Sequence, residues 1–231
     1  DCIFGLREES GKFLAKKTSS KYTNNQGEIP KDSDLYIVAL KDDLYLDLLS
    51  KISLNENLVV HTSGSFESEQ LQKITYRWGC LYPLQSINKN QKVNWENVKF
   101  FIEAAEQEDE IELEKLCQKL KFNFSKANSF QRRKLHIAAV AANNFTYHLL
   151  STIRAFCEEN KLNFSDLKYL LDHSLDSAYK KEIFQLQTGP AKRKDLKLIS
   201  KHLELLEKEK NLKEIYELFT QQILNQHHHE L

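Results

Sequence analysis

Methionine is missing from all 231 residues, the first position included, where ordinary usage would place a few. With the abrupt start on the strand-like run Cys2 to Leu6, this raises the expectation that an N-terminal piece is missing from the sequence. No apolar run approaches the roughly 18–20 residues needed to span a bilayer, and no signal-peptide pattern opens the chain. A membrane helix is thereby excluded and a cytoplasmic location expected. Net charge is lacking too, since 33 Lys and Arg balance 33 Asp and Glu. A neutral chain has no broad field to gather polyanions, which argues against DNA or RNA as a partner. The four cysteines, Cys2, Cys80, Cys117 and Cys157, lie far apart with no CxxC pair. That spacing suits neither a disulfide framework nor a zinc site, and reduced, partly buried thiols are expected.

Glycine is scarce at six residues. One pair, Gly5 and Gly11 followed by Lys12-Phe13, imitates a phosphate loop without meeting its requirements. It has one residue too many between the glycines, no hydroxyl after the lysine to hold magnesium, and two glutamates that would repel phosphate.

What is present divides in two. Up to about Lys121, short apolar runs alternate with helical stretches, the pattern of a parallel sheet covered by helices. Leu35 to Leu40 and Leu58 to His61 are continuous apolar runs of strand length, as buried parallel strands require. Further strands are predicted from Tyr76 to Cys80 and from Val98 to Ala104, then a helix from about Asp109 to Leu120. From Ser129 on the periodicity is helical, as in Leu196, Ile199, Leu203 and Leu206, with one proline to interrupt it. The expected fold is an α/β Rossmann-like domain over residues 1–125 followed by an all-α domain over residues 126–231, joined by the short polar stretch Asn123 to Asn128.

Candidate chemistry sits where strands end in polar residues, because ligands of open α/β sheets bind beyond the carboxyl ends of strands. With Cys2 to Leu6 read as the second strand of a Rossmann unit, Arg7 stands at its carboxyl end, before a helix starting near Glu9 or Ser10. There a carboxylate would bond a ribose 2′-hydroxyl, whereas an arginine fork suits a 2′-phosphate, favouring NADP over NAD; a solvated surface arginine is the alternative. His61-Thr62-Ser63-Gly64-Ser65 follows a buried strand and offers hydroxyls to a substrate or nicotinamide, or else forms a turn in which Ser63 or Ser65 caps a helix bearing Glu69 to Ile74. Helical spacing puts His136, Val140, Asn143 and Tyr147 near one stripe with Asn144 beside it. The histidine and asparagine either satisfy each other or position a carbonyl or hydroxyl. In Gln187 to Asp195, Thr188 or Gly189 is read as a helix cap with Pro190 first in the helix, exposing amides beside Arg193. Asp195 and His202 lie two turns apart and suit a structural pair. The histidines at 227–229 form a terminal cluster, and no metal site is assigned to them.

At DLYIVALKDD (34–43), HTSGS (61–65), GCLYPLQSI (79–87), HIAAVAANNF (136–145) and QTGPAKRKD (187–195) the chain resembles a known family. It is the group of Rossmann-like NADP oxidoreductases carrying a C-terminal helical domain of unknown function, number 2520, related to pyrroline-5-carboxylate reductase and 3-hydroxyisobutyrate dehydrogenase. The family's first strand and glycine-rich loop have no counterpart in this sequence. The resemblance implies a helical domain of the 6-phosphogluconate dehydrogenase C-terminal type, a cofactor cleft between the domains, and a homodimer formed through helices. The expected activity is hydride transfer between NADP(H) and a small carbonyl, imine or hydroxy compound. The competing possibility is a non-catalytic dinucleotide sensor or interaction protein, since a fold does not fix a function. In this picture Arg7 and Ser10 hold the 2′-phosphate side, and Ala39, Leu40, Lys41 and Thr62 flank the dinucleotide. Ser63, His136 and Asn144 are the catalytic candidates, with Ser65, Gln85, Thr188, Arg193 and Asp195 contacting substrate.

Overall fold

The computed structural model describes residues 1–52, 54, 56–88, 92–180 and 183–228. They form two compact units, Asp1–Ala141 and Ala142–Leu231.

The first unit holds two sheets. Strands β1 (Cys2–Phe4) and β2 (Lys21–Thr23) pair in parallel around helix α1 (Glu8–Thr18). Gly11 lies inside α1, and a Cβ there would fall 2.1 Å from the Tyr22 ring. The glycine therefore allows close packing of helix on strand, and the apparent phosphate loop is a helix start. The larger sheet has the order β3 (Leu35–Val38), β4 (Leu58–His61), β5 (Trp78–Pro83), β6 (Lys99–Ala104), β7 (Asn123–Lys126), with α2 (Tyr45–Leu49) after β3. The pairs β3–β4, β4–β5 and β6–β7 are parallel; β5–β6 is antiparallel.

Strand β4 lies as expected, and all four of its residues are buried. Its two faces feed two cores: Leu58 and Val60 pack with Leu81, Phe100, Ile102 and Leu113 of α3 (Gln107–Lys119), while Val59 packs with Tyr45, Leu49, Phe66 and Leu71. Full burial of each such side chain stabilises by about 1.5–3 kcal/mol, so a two-faced strand anchors the unit. The expected strand at Leu35–Leu40 stops at Val38, and its Ile37 is exposed because β3 is a sheet edge among the described residues. The predicted strand at Tyr76 starts at Trp78. Strand β7 was not expected: its polar sequence NFSK reads as a linker, yet it pairs with β6 and delivers the chain to helix α4 (Ser129–Ala139). A capping box opens α4: the Asn128 side chain accepts from Gln131 N at 2.9 Å, and Gln131 Oε1 accepts from Asn128 N at 3.1 Å.

A π-helical turn, Val140–Phe145, follows α4 and runs into α5 (Thr146–Glu159). It inserts extra backbone into the helical count, so the stripe drawn through His136, Asn143 and Tyr147 at ordinary α spacing is not continuous. The second unit continues with α6 (Lys168–Ala178), α7 (Leu196–Leu205) and α8 (Lys210–His228). The expected helix start at Thr188–Pro190 is corrected. Pro190 and its neighbours form a turn in which Asp195 N donates to Pro190 O at 2.9 Å, and Gly189 takes a φ of 102°. Asp195 itself caps α7, its carboxylate accepting from Leu198 N at 3.1 Å. It makes no pair with His202, whose Nδ1 bonds Tyr216 Oη at 2.8 Å. Among the described residues no helix is long and apolar enough to cross a membrane.

Candidate functional site

Strands β3, β4 and β5 run in parallel, so their carboxyl ends share one edge of the sheet. Register then decides which side chains meet. His61 pairs with Cys80, and Cys80 with Glu103, so these three stand in one cross-strand row on one face, with Tyr82 two residues along β5 on the same face. Helix α4 lies over that face and presents Arg132 and His136, one turn apart.

Arg132 is fully buried. Its Nη1 donates to Glu103 Oε2 at 2.5 Å, and its Nη2 to Phe66 O at 2.6 Å and to Ser68 Oγ and Ser129 Oγ at 3.1 Å. Glu103 also accepts from Ser68 Oγ at 2.6 Å, Ser129 Oγ at 2.9 Å and the Ser129 amide at 2.8 Å. Burial works to raise the Glu103 carboxyl, but the bonds from Ser68 and Arg132 and the guanidinium charge outweigh it and hold Glu103 below its ordinary value. His61, fully buried, has Nε2 2.9 Å from Ser68 Oγ, and its Nδ1 accepts the Ser63 amide at 3.1 Å. An amide can only donate, so Nδ1 is bare and Nε2 carries the hydrogen. Burial, followed by the Arg132 charge, lowers His61 to about 3. Burial likewise pushes the Cys80 thiol up to about 12, which removes it as a nucleophile at neutral pH.

This network grips the Thr62–Phe66 turn. Ser63 Oγ accepts from the amides of Ser65 and Phe66, both at 3.1 Å. Ser63 therefore closes its own turn; neither it nor Ser65 caps the following 3-10 helix, Ser68–Lys73, whose N-cap is Glu67. Ser65 Oγ donates to Asp42 Oδ2 at 2.5 Å, tying the ends of β3 and β4 together. Gly64 backs onto α4: a Cβ there would sit 2.6 Å from His136 Nδ1 and 2.9 Å from the Tyr82 ring. Tyr82 Oη is 3.1 Å from His136 Nδ1.

The sequence-predicted residues are thus partly gathered. Thr62, Ser63, Ser65 and His136 meet at one turn, with Ala39, Leu40 and Lys41 at the end of the neighbouring strand, where the Thr62 amide donates to Val38 O at 3.3 Å. Gln85 follows β5, exposed, with Nε2 on Ser86 O at 3.2 Å. Arg7 follows β1 of the other sheet and Ser10 lies in the first turn of α1, both exposed. Arg7 is the backbone N-cap of α1 without a side-chain cap bond, and its guanidinium has no partner among the described residues. Asn144, Thr188, Arg193 and Asp195 belong to the second unit. The expected mutual bond between histidine and asparagine is replaced by one from Asn143 Nδ2 to Asn144 Oδ1 at 3.0 Å. Also in the second unit, His228 Nε2 lies 2.8 Å from Lys192 O and the His227 ring stacks on Phe184; His229 lies outside the described residues. No group of three or more metal-ligating side chains occurs among the described residues.

Sequence reasoning missed Arg132, Glu103, Ser68 and Ser129. Arg132 sits in the run Gln131-Arg132-Arg133-Lys134, which reads as a solvated charged face. Only the capping box that starts α4 hints at which arginine turns inward.

Comparison with known proteins agrees with this architecture. The family model described as "Domain of unknown function (DUF2520)" matches residues 98–223, more than half of the chain. No curated protein matches it. Among solved structures, a Bacteroides fragilis protein named a putative NADP oxidoreductase is 32% identical, with a TM-score of 0.86 over 96% of this chain and 87% of that one. A Thermotoga maritima protein is 19% identical, with a TM-score of 0.68 over 96% and 90%. A Myxococcus stipitatus imine reductase in complex with NADP+ is 12% identical, with a TM-score of 0.68 over 96% and 84%. A parallel-dominated, Rossmann-like sheet unit, a following helical region and the match across residues 98–223 together establish that this chain belongs to the DUF2520 family.

Proposed function

We propose that the chain is an NADP-dependent oxidoreductase that transfers hydride between the cofactor and a small carbonyl, imine or hydroxy compound. The observation that carries this reading is the polar turn Thr62–Ser65 at the carboxyl end of a doubly buried parallel strand, with His136 seated over its glycine. Support comes also from the name of the 32% identical relative, an NADP oxidoreductase.

The residues present fit the cofactor. Arg7, unpaired and exposed after β1, has the fork of donors that suits a 2′-phosphate, and Glu8 beside it is neutralised by Lys12 at 2.5 Å. Ser10 adds a hydroxyl, and Ala39, Leu40, Lys41 and Thr62 flank the dinucleotide at the edge of the larger sheet. NADP, when bound, supplies the hydride-carrying nicotinamide carbon. The chain's part is to orient and to handle the proton. Ser63 and Ser65 are occupied in shaping the turn, which leaves Gln85 and His136 as the freer groups to meet a substrate oxygen or nitrogen in the first unit. The proposal extends to Asn144, Thr188, Arg193 and Asp195 as substrate contacts.

Two further parts belong to this reading. A homodimer through the second unit would cover the exposed Tyr169, Leu175 and Tyr179. Cytoplasmic residence suits the free, buried Cys80, Cys117 and Cys157. Titrating the protein with NADPH by fluorescence, then screening ketoacids and cyclic imines for NADPH oxidation, tests the function. Absence of NADPH binding would overturn it, and tight binding without turnover on any class would favour a dinucleotide sensor.

A further inference from the structure

Tyr82 is buried, 7% exposed, and its hydroxyl reaches one described partner, His136 Nδ1 at 3.1 Å. The two rings meet edge to face, with centroids 6.1 Å apart. A phenol carries one hydrogen and can also accept, whereas a neutral imidazole has one nitrogen of each kind. If Nδ1 bore the hydrogen it would donate to Tyr82, and the phenolic hydrogen of this largely buried side chain would have no acceptor among the described residues, an arrangement native structures disfavour. If Tyr82 donates, both groups are satisfied. That choice leaves the hydrogen on Nε2, at the far side of the ring from Gly64 and Tyr82. His136 Nε2 has no partner among the described residues and is not among the polar atoms sealed from solvent.

We propose that Tyr82 is a positioning residue that sets the tautomer of His136, so that the ring, held with Nδ1 against the Thr62–Ser65 turn, presents an Nε2–H donor on its other side and takes ligands bringing a carbonyl oxygen or imine nitrogen to it. The inference rests on the oxidoreductase reading for its ligand class and on the Tyr82–His136 contact for its chemistry. Gly64 is part of the device, since any Cβ there would collide with both rings and part them. A second histidine close by is fixed in the same form by different means: His61 through the Ser63 amide.

The test is nitrogen-15 NMR of histidine-labelled protein at about pH 8.5, well above the usual histidine titration. Wild type is expected to show His136, assigned by its loss in His136→Asn, with Nδ1 bare and Nε2 protonated. Tyr82→Phe keeps the ring and should populate both tautomers. His61 should keep its Nε2–H form in both proteins, which reports an intact fold. Finding His136 with Nδ1 protonated in the wild type overturns the proposal, whether or not the variant folds, as does an unchanged tautomer in a folded Tyr82→Phe. With NADP+ present, pyruvate and 1-pyrroline should shift the Nε2 proton while pyrrolidinium, a donor only, should not; response to neither acceptor overturns the ligand assignment. NADPH binding is measured on the same samples, so failure of the oxidoreductase reading appears as lost binding with the tautomer intact.

Discussion

Replacing Arg132 with methionine removes the guanidinium and keeps an apolar stem in its place. The variant loses the 2.5 Å pair with Glu103 and the donations to Phe66 O, Ser68 Oγ and Ser129 Oγ. Breaking a buried ion pair by removing one partner costs about 3–5 kcal/mol. Glu103 keeps its bonds from Ser68 and Ser129, so about 3 kcal/mol is expected. For a unit of this size each kcal/mol moves the midpoint by about 4 °C, giving roughly 12 °C. The pH dependence makes the reasoning specific. In the wild type Glu103 titrates below its unfolded value, so its stabilisation is complete above that value and disappears as pH falls through the folded one. Without Arg132, Glu103 loses the guanidinium bond and charge but keeps those from Ser68 and Ser129, so it titrates above its wild-type value and takes up its proton first as pH falls. The gap between the two proteins should therefore be full at neutral pH and narrow as pH falls through the carboxylate range toward the lowered wild-type value. Urea unfolding across that range, with Arg132→Met/Glu103→Gln expected to recover part of the loss, measures it. A deficit under about 1 kcal/mol at pH 7, or one that does not shrink in acid, would refute the account.

Other outcomes follow from the same network. His61 is held neutral down to about 3, so the unfolded chain takes up a proton as pH drops below the ordinary histidine value while the folded chain does not. Stability should fall by up to about 1.4 kcal/mol per pH unit from about pH 6.5 toward 3, and His61→Gln should flatten that slope in a series of urea titrations. Gly64→Ala forces a methyl against His136 and Tyr82, at a cost of about 1–3 kcal/mol, with turnover lost more than NADPH binding; melting curves and steady-state kinetics read the two. Arg7→Ala should weaken NADPH by at least tenfold while NADH changes little, in fluorescence titrations of both cofactors, because a lost charge-assisted pair is worth about 1.5–3 kcal/mol.

Much of the frame was legible because periodicity survives burial. LVVH reads as a doubly buried strand and is one, and the helical spacing after Ser129 gives helices. The polar turn after β4 was also visible, since hydroxyls after an apolar run mark a strand end. What stayed hidden depends on partners distant in sequence. NFSK becomes a strand only because Phe101 and Ile102 of β6 lie beside it. Arg132 and Glu103 are ordinary surface types until register and the α4 cap bring them together. Thr188 and Pro190 show the opposite error: both are good helix-start residues, and local preference could not say that the turn after them, with Lys194 in αL, would delay the start to Leu196 with Asp195 as its cap.

The antiparallel step from β5 to β6 sets a rule for how this chain can drift. Glu103 faces His61 and Cys80 only through its place opposite Cys80, and strand side chains alternate in twos. Shifting β6 by a single position would turn that carboxylate to the other side, among Leu58, Val60 and Leu113, and strand Arg132 in the interior without its counter-ion. Insertions or deletions ahead of Glu103 within the paired segment keep its face only in even numbers, and odd ones should be found only where a bulge restores the parity.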